Sequence, residues 1–140
     1  MSGRTYKSVY YHIVFRTKNR EPYLRDDLRK TVYQNIWEQC KKLECYLYRI
    51  GGNDWHVHLL VNIPPKIAVA KAVQQLKGAS SHFVNRELTG GDSLYWQEGY
   101  GLLTLSDRDF KTVHEYIKTQ DQRHRDDQLI DRYEQLESEK

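Results

Sequence analysis

The stretch Trp55-His56-Val57-His58-Leu59-Leu60-Val61-Asn62-Ile63 decides how this chain is read. Side chains alternate faces along a strand, so His56 and His58 point the same way, roughly 7 Å apart at Cα. Val57, Leu59, Val61 and Ile63 take the opposite face and suit a hydrophobic core. A strand with one apolar face and two neighbouring imidazoles on the other is half of a metal site. The other half must come from elsewhere in the chain.

Working outward, Gly51-Gly52-Asn53-Asp54 has turn composition, and 44–50 reads as a strand, so the two strands form an antiparallel hairpin. Further upstream, 6–16 alternates and is rich in Tyr, Val, Ile and Phe, which predicts another strand. A basic loop covers 17–23. Leu24, Leu28, Val32, Ile36, Cys40 and Leu43 then recur at helical spacing, which predicts a helix over 24–43. Downstream, Pro64-Pro65 stops the histidine strand, and 67–88 reads as a second helix with Val69, Val73, Leu76, Phe83 and Val84 inward. One or two strands are expected over 95–105, broken by Gly99-Tyr100-Gly101. Ser106 or Asp107 then caps a third helix that runs from about Arg108 past Gln120. This order predicts an α+β fold: an antiparallel sheet with helices packed on one face, ferredoxin-like or RRM-like, plus a C-terminal tyrosine-bearing helix. Such a fold hosts many functions and selects none.

The 140 residues are expected to form a single domain over 1–125 and an acidic tail over 126–140. A hydrophobic content of 39% with 29% charged residues is that of a globular protein in water. No run approaches the ~18 apolar residues needed to cross a bilayer and no signal-peptide pattern opens the chain, so the expectation is a cytoplasmic protein without a membrane partner. The net charge of +3 is unevenly spread. Residues 121–140 carry four Lys/Arg against seven Asp/Glu, which leaves −3 there and +6 on residues 1–120. A basic body suits a polyanionic partner. Cys40 and Cys45 are too few for a disulfide scaffold and read as reduced, structural thiols.

The third helix contains Val113-His114-Glu115-Tyr116-Ile117-Lys118-Thr119-Gln120. Phe110, Val113 and Ile117 make its core stripe. Tyr116 and Gln120, four apart, share a face rotated about 70° from that stripe and are expected at the border of core and solvent. A tyrosine there can reach a ligand, and an amide one turn later can offer its carbonyl oxygen to a cation.

His56-Val57-His58 with Tyr116 and Gln120 resembles the single-tyrosine HUH transposases of bacterial insertion sequences (TnpA-like, IS200-type). Leu76-Lys77-Gly78 with Ser80-Ser81, Trp96-Gln97-Glu98-Gly99-Tyr100-Gly101 running into Thr104-Leu105-Ser106, and Arg123-His124 agree with the same pattern. One departure stands out. Family members usually carry Asp or Asn directly before the first histidine, whereas here Asp54 is followed by Trp55.

The resemblance implies a metal-dependent DNA strand transferase, a site-specific single-strand endonuclease acting at hairpin-marked element ends. Tyr116 would be the catalytic nucleophile, taking the 5′ phosphate as a covalent phosphotyrosine and leaving a free 3′-OH. His56, His58 and Gln120 would be the metal ligands. It also implies a homodimer in which the tyrosine helix of one subunit serves the histidines of the other. Two imidazole nitrogens and an amide oxygen form a weakly charged set with open positions, which suits Mg²⁺ or Mn²⁺ better than a closed zinc site. Lys7, Arg16, Lys18, Arg20 and Lys77, with Lys71 and Arg86, are candidates for DNA phosphate contacts. Tyr10, Tyr11 and Trp96 are candidates for base stacking.

His114 and His124 read as surface histidines near the tyrosine helix, and His12 and His82 as structural. Lys77-Gly78 fits a phosphate contact or a close approach of helix to sheet equally well. Two other functions stay open at this level: a catalytically silent, host-domesticated binder of hairpin nucleic acid, and a metal-dependent hydrolase using water as nucleophile.

Overall fold

The computed structural model describes residues 9–91 and 93–120. The expected tail over 126–140, His124 and Lys7 lie outside them. The elements are β1 (Tyr10–Arg16), α1 (Asp26–Lys42), β2 (Tyr46–Gly52), β3 (His56–Asn62), α2 (Val69–His82), β4 (Gly101–Leu105) and α3 (Asp107–Lys118). A 3-10 turn spans Lys18–Arg20, and a π-type turn, Phe83–Leu88, extends α2. The strands form one sheet in the order β2-β3-β1-β4, with every neighbouring pair antiparallel. The α+β architecture expected from the alternation of the two periodicities is the one found.

The two faces of the sheet are covered differently. Ile13, Phe15, Val57, Leu59 and Val61 pack with Val32 and Ile36 of α1 and with Val73 and Leu76 of α2. On the other face, Leu60 and Leu105 pack with Val113, Tyr116 and Ile117 of α3. Fully burying each such aliphatic side chain contributes roughly 1.5–3 kcal/mol, so the larger cluster carries the fold and α3 is the lighter layer. β3 is an interior strand covered on both faces, which is why every residue from His56 to Val61 is buried.

Three local features depart from the sequence reading. First, α1 starts at Asp26 rather than 24, because the Leu24 N–H donates to the Asp54 carbonyl at 2.8 Å and its side chain plugs the core. α1 ends in a Schellman motif with Glu44 in the left-handed region (φ 60°): Cys45 N–H donates to Cys40 O at 2.8 Å and Glu44 N–H to Lys41 O at 3.0 Å. That motif brings the two buried free thiols together.

Second, no strand begins at 95. Trp96 makes one bridge to Thr17, and regular pairing waits until Gly101. Lys77 Nζ donates to the carbonyls of Gln97 (2.6 Å) and Gly99 (3.0 Å), and Gly99 sits at φ 84°, so this backbone is committed elsewhere. Third, Gly51 and Gly52 close β2 rather than forming the turn. A Cβ on Gly51 would lie 2.5 Å from the carbonyl oxygen of Ile117, and one on Gly52 would lie 2.1 Å from that of His56. The bare backbone at Gly51 is what lets α3 lie down on the sheet. Gly78 has nothing within 4 Å of its Cβ position, so the close approach considered for it is absent. Among the described residues no helix is long and apolar enough to cross a membrane.

Candidate functional site

β3 presents His56 and His58 on the face that α3 covers, with ring centroids 5.5 Å apart. Both are buried, at 3% and 0% exposure. Asn53 sets the start of this strand: its Oδ1 accepts hydrogen bonds from the backbone N–H groups of Trp55 and His56, each at 2.9 Å. An asparagine binding the backbone two and three residues on is a common turn device. Here it aims the first histidine. Asp54, by contrast, faces Arg29 at 3.9 Å.

α3 closes over the pair. Asp107 and Asp109 in its first turn complement the positive end of the helix dipole, and Val113, Tyr116 and Ile117 turn inward. The Tyr116 ring centroid lies 5.8 Å from that of His58 in the same chain. Tyr116 and Gln120 are each only 1% exposed, so they are interior rather than at the expected border. The reason is the Gly51 approach, which seats this helix deep enough to cover both. His56, His58 and Tyr116 thus share one side of the sheet although they come from two distant segments, and Gln120 is buried just beyond the end of α3.

A fifth residue joins them. The sequence pattern suggests a structural role for His12 of β1, yet its Nε2 lies 2.9 Å from Nδ1 of His58, and its ring centroid lies 6.4 Å from that of Tyr116. His12 is 1% exposed. The parity of β1 could have found it, since His12 falls opposite the core-facing Ile13 and Phe15. What was missing was the knowledge that β1 pairs directly with β3, with Val14 opposite His58 and His12 opposite Leu60.

The other candidates are distributed unevenly. Arg16 stands opposite His56 in the β1–β3 register, so it shares the histidine face. Lys18 and Arg20 are exposed on the neighbouring turn, and the Arg20 guanidinium sits 5.0 Å over the Trp55 ring, which lies beside His56. Lys71 and Arg86 are exposed on the helical layer of the opposite face. Lys77 is half-buried with its ammonium turned to two carbonyls, and burial lowers its pKa. That geometry gives it a structural task. Tyr10 packs against Tyr48 and Phe110, Tyr11 against the main core, and Trp96 edge-on to Phe15 with its indole N–H donating to Ser80 at 3.0 Å. These three are packing residues rather than exposed stacking platforms. His114 stacks on Phe110, and His82 is exposed.

The donor set fits a divalent cation on chemical grounds. Nε2 of His58 and Oε1 of Gln120 are buried atoms without a hydrogen-bond partner, although each residue makes other contacts. Among the described residues, no group of three or more His, Cys, Asp or Glu is placed to hold a metal, and the Gln120 amide would add an oxygen donor to the imidazoles of His56 and His58. Such a set binds weakly and leaves positions open.

An antiparallel sheet with paired histidines under a tyrosine helix defines the class of protein, and the comparisons narrow it. The sequence profile described as "Transposase IS200 like" matches residues 5–120. The transposase for insertion sequence element IS200 of Salmonella typhimurium is 29% identical over 115 residues, covering 79% of this chain and 75% of that protein. The ISDra2 transposase TnpA of Deinococcus radiodurans is 30% identical over 129 residues, covering 84% and 89%. Among solved structures, a candidate transposase from Deinococcus radiodurans R1 superposes with a TM-score of 0.66 at 24% identity, covering 86% of this chain and 97% of that one. A REP-associated tyrosine transposase bound to a REP hairpin also gives 0.66, at 14% identity, covering 92% and 76%. These two likenesses are of fold. The chain belongs to the IS200-like transposase family.

Proposed function

We propose that this protein is a metal-dependent transposase that cleaves and rejoins single-stranded DNA at hairpin-marked ends, with Tyr116 as nucleophile. The observation that carries the reading is the meeting of Tyr116 with His58, 5.8 Å between ring centroids, with the His56 ring 5.5 Å from that of His58. His56, His58 and Gln120 are the residues that would hold Mg²⁺ or Mn²⁺. When bound, the cation supplies charge neutralisation at a non-bridging phosphate oxygen. The Tyr116 oxygen attacks phosphorus and gives up its proton. The bond from phosphorus to the 3′ oxygen breaks, and that oxygen leaves protonated as a free 3′-OH. The phosphotyrosine keeps the energy of the broken ester, so a second 3′-OH can displace the tyrosine without ATP.

Arg16, opposite His56, is placed to meet the phosphate, and Lys18 and Arg20 extend that positive rim. A phenol at 1% exposure meets DNA only after α3 lifts from the sheet, a movement that also suits exchange of the tyrosine helix within a homodimer. The structural neighbour solved with a REP hairpin supports a hairpin substrate for this chain too. The test is incubation of the protein with a hairpin-bearing single strand and Mn²⁺, followed by a denaturing gel. A covalent protein–DNA band is expected, absent for Tyr116→Phe. Metal-independent hairpin binding with no band under any divalent ion would favour a silent binding protein instead, and turnover without a band would favour water as nucleophile.

A further inference from the structure

We propose that His12 is a positioning residue: through its Nε2 it accepts a hydrogen bond from His58 Nδ1–H and so fixes the tautomer in which the lone pair of His58 sits on Nε2. The inference rests on the reading of His58 as a metal ligand. A neutral imidazole has one N–H and one lone pair, so a ring that gives Nε2 to a cation must carry its proton on Nδ1. That Nδ1–H then needs an acceptor. His12 Nε2 lies 2.9 Å away, with both rings buried and their centroids 5.2 Å apart. Two facing N–H groups would repel at this distance, so the pair shares one proton along the contact. If His12 donated instead, neutral His58 would carry its proton on Nε2 and could not ligate.

β1 and β3 are hydrogen-bonded neighbours in the middle of the sheet, so strand pairing itself holds the donor and acceptor in place. A partner that orients a metal-bound histidine typically changes metal affinity by roughly 10–100-fold when removed. His12 therefore acts on the cation through His58.

Mn²⁺ titration calorimetry on wild type, His12→Phe, His12→Gln and His58→Ala tests this. Phenylalanine keeps a ring but offers no acceptor. Glutamine puts a carbonyl oxygen close to where Nε2 stood. The expected result is binding weakened about 10–100-fold in His12→Phe and restored to within a few-fold of wild type in His12→Gln. Long-range ¹H–¹⁵N spectra of the Mg²⁺-loaded wild type should place the proton of His58 on Nδ1 and leave Nε2 of His12 unprotonated, a result that does not depend on any variant folding. Binding equal to wild type in a folded His12→Phe, or a His58 proton found on Nε2, would overturn the inference alone. Wild-type binding that is indifferent to His58→Ala would overturn the metal reading and this inference with it.

Discussion

Replacing Gly51 with alanine should push the tyrosine helix off its seat, because the new Cβ would lie 2.5 Å from the Ile117 carbonyl oxygen and 3.0 Å from its Cγ2. The clash is with backbone in the last turn of α3, so no side-chain rotation relieves it. Restoring an ordinary contact of 3.4 Å requires α3 to retreat by about 0.9 Å. Overpacking of this kind costs about 1–3 kcal/mol, a fall in Tm of roughly 3–10 °C for a domain of this size. The same retreat moves Tyr116, the neighbour of Ile117. Displacing a reacting group by ~1 Å can cost about 100-fold in rate. Gly78→Ala is the internal control: it sits inside α2 with nothing within 4 Å of its Cβ position, so it should stabilise by about 0.5–1 kcal/mol. Calorimetric melting and single-turnover adduct formation measure both effects. A Gly51→Ala protein that melts at or above the wild-type temperature and forms adduct within two-fold of its rate would refute the reasoning.

Asn53→Ala removes the acceptor for two backbone N–H groups at the start of β3 and should cost about 1–3 kcal/mol in urea unfolding, with Asn53→Asp close to wild type. Lys77→Met keeps the stem but leaves the Gln97 and Gly99 carbonyls without their charged donor. It should speed hydrogen exchange around 96–101 while hairpin affinity stays within two-fold. Burial, helped by the neighbouring Cys45, pushes the Cys40 thiol up to about 12, so folded protein at pH 8 should resist a disulfide reagent at this position. The folded state holds this proton more tightly than the unfolded one. Its stabilising contribution is therefore complete below about pH 9 and is lost as pH rises towards 12, which alkaline melts of wild type and Cys40→Ala would compare.

The elements and their order were legible because each segment carries one clear period: the alternation around His56 and the helical stripe from Leu28 to Cys40 read correctly on their own. The pairing of His56 with His58 was legible for the same reason, since strand parity is local. His12 was not, because its role depends on which strand lies beside β3, and that neighbour is chosen by the global topology. The burial of Tyr116 and Gln120 was missed for a related reason. A helical wheel gives the angle of a side chain to the core stripe but not the depth to which the helix sinks, and here that depth depends on a glycine 65 residues earlier. The segment before β4 misled because its aromatic residues have strand propensity, whereas the Lys77 ammonium claims its carbonyls. Trp55 in place of Asp or Asn reads as a gap in the support of His56. Asn53, two positions before it, orients that strand through the backbone instead.

The most direct measurement digests the covalent DNA adduct with trypsin and nuclease and sequences the modified peptide by mass spectrometry. The nucleotide should be found on Tyr116, in the peptide 112–118, linked through a 5′ phosphate. A nucleotide mapped to any other tyrosine, or linked through a 3′ phosphate, would contradict the account.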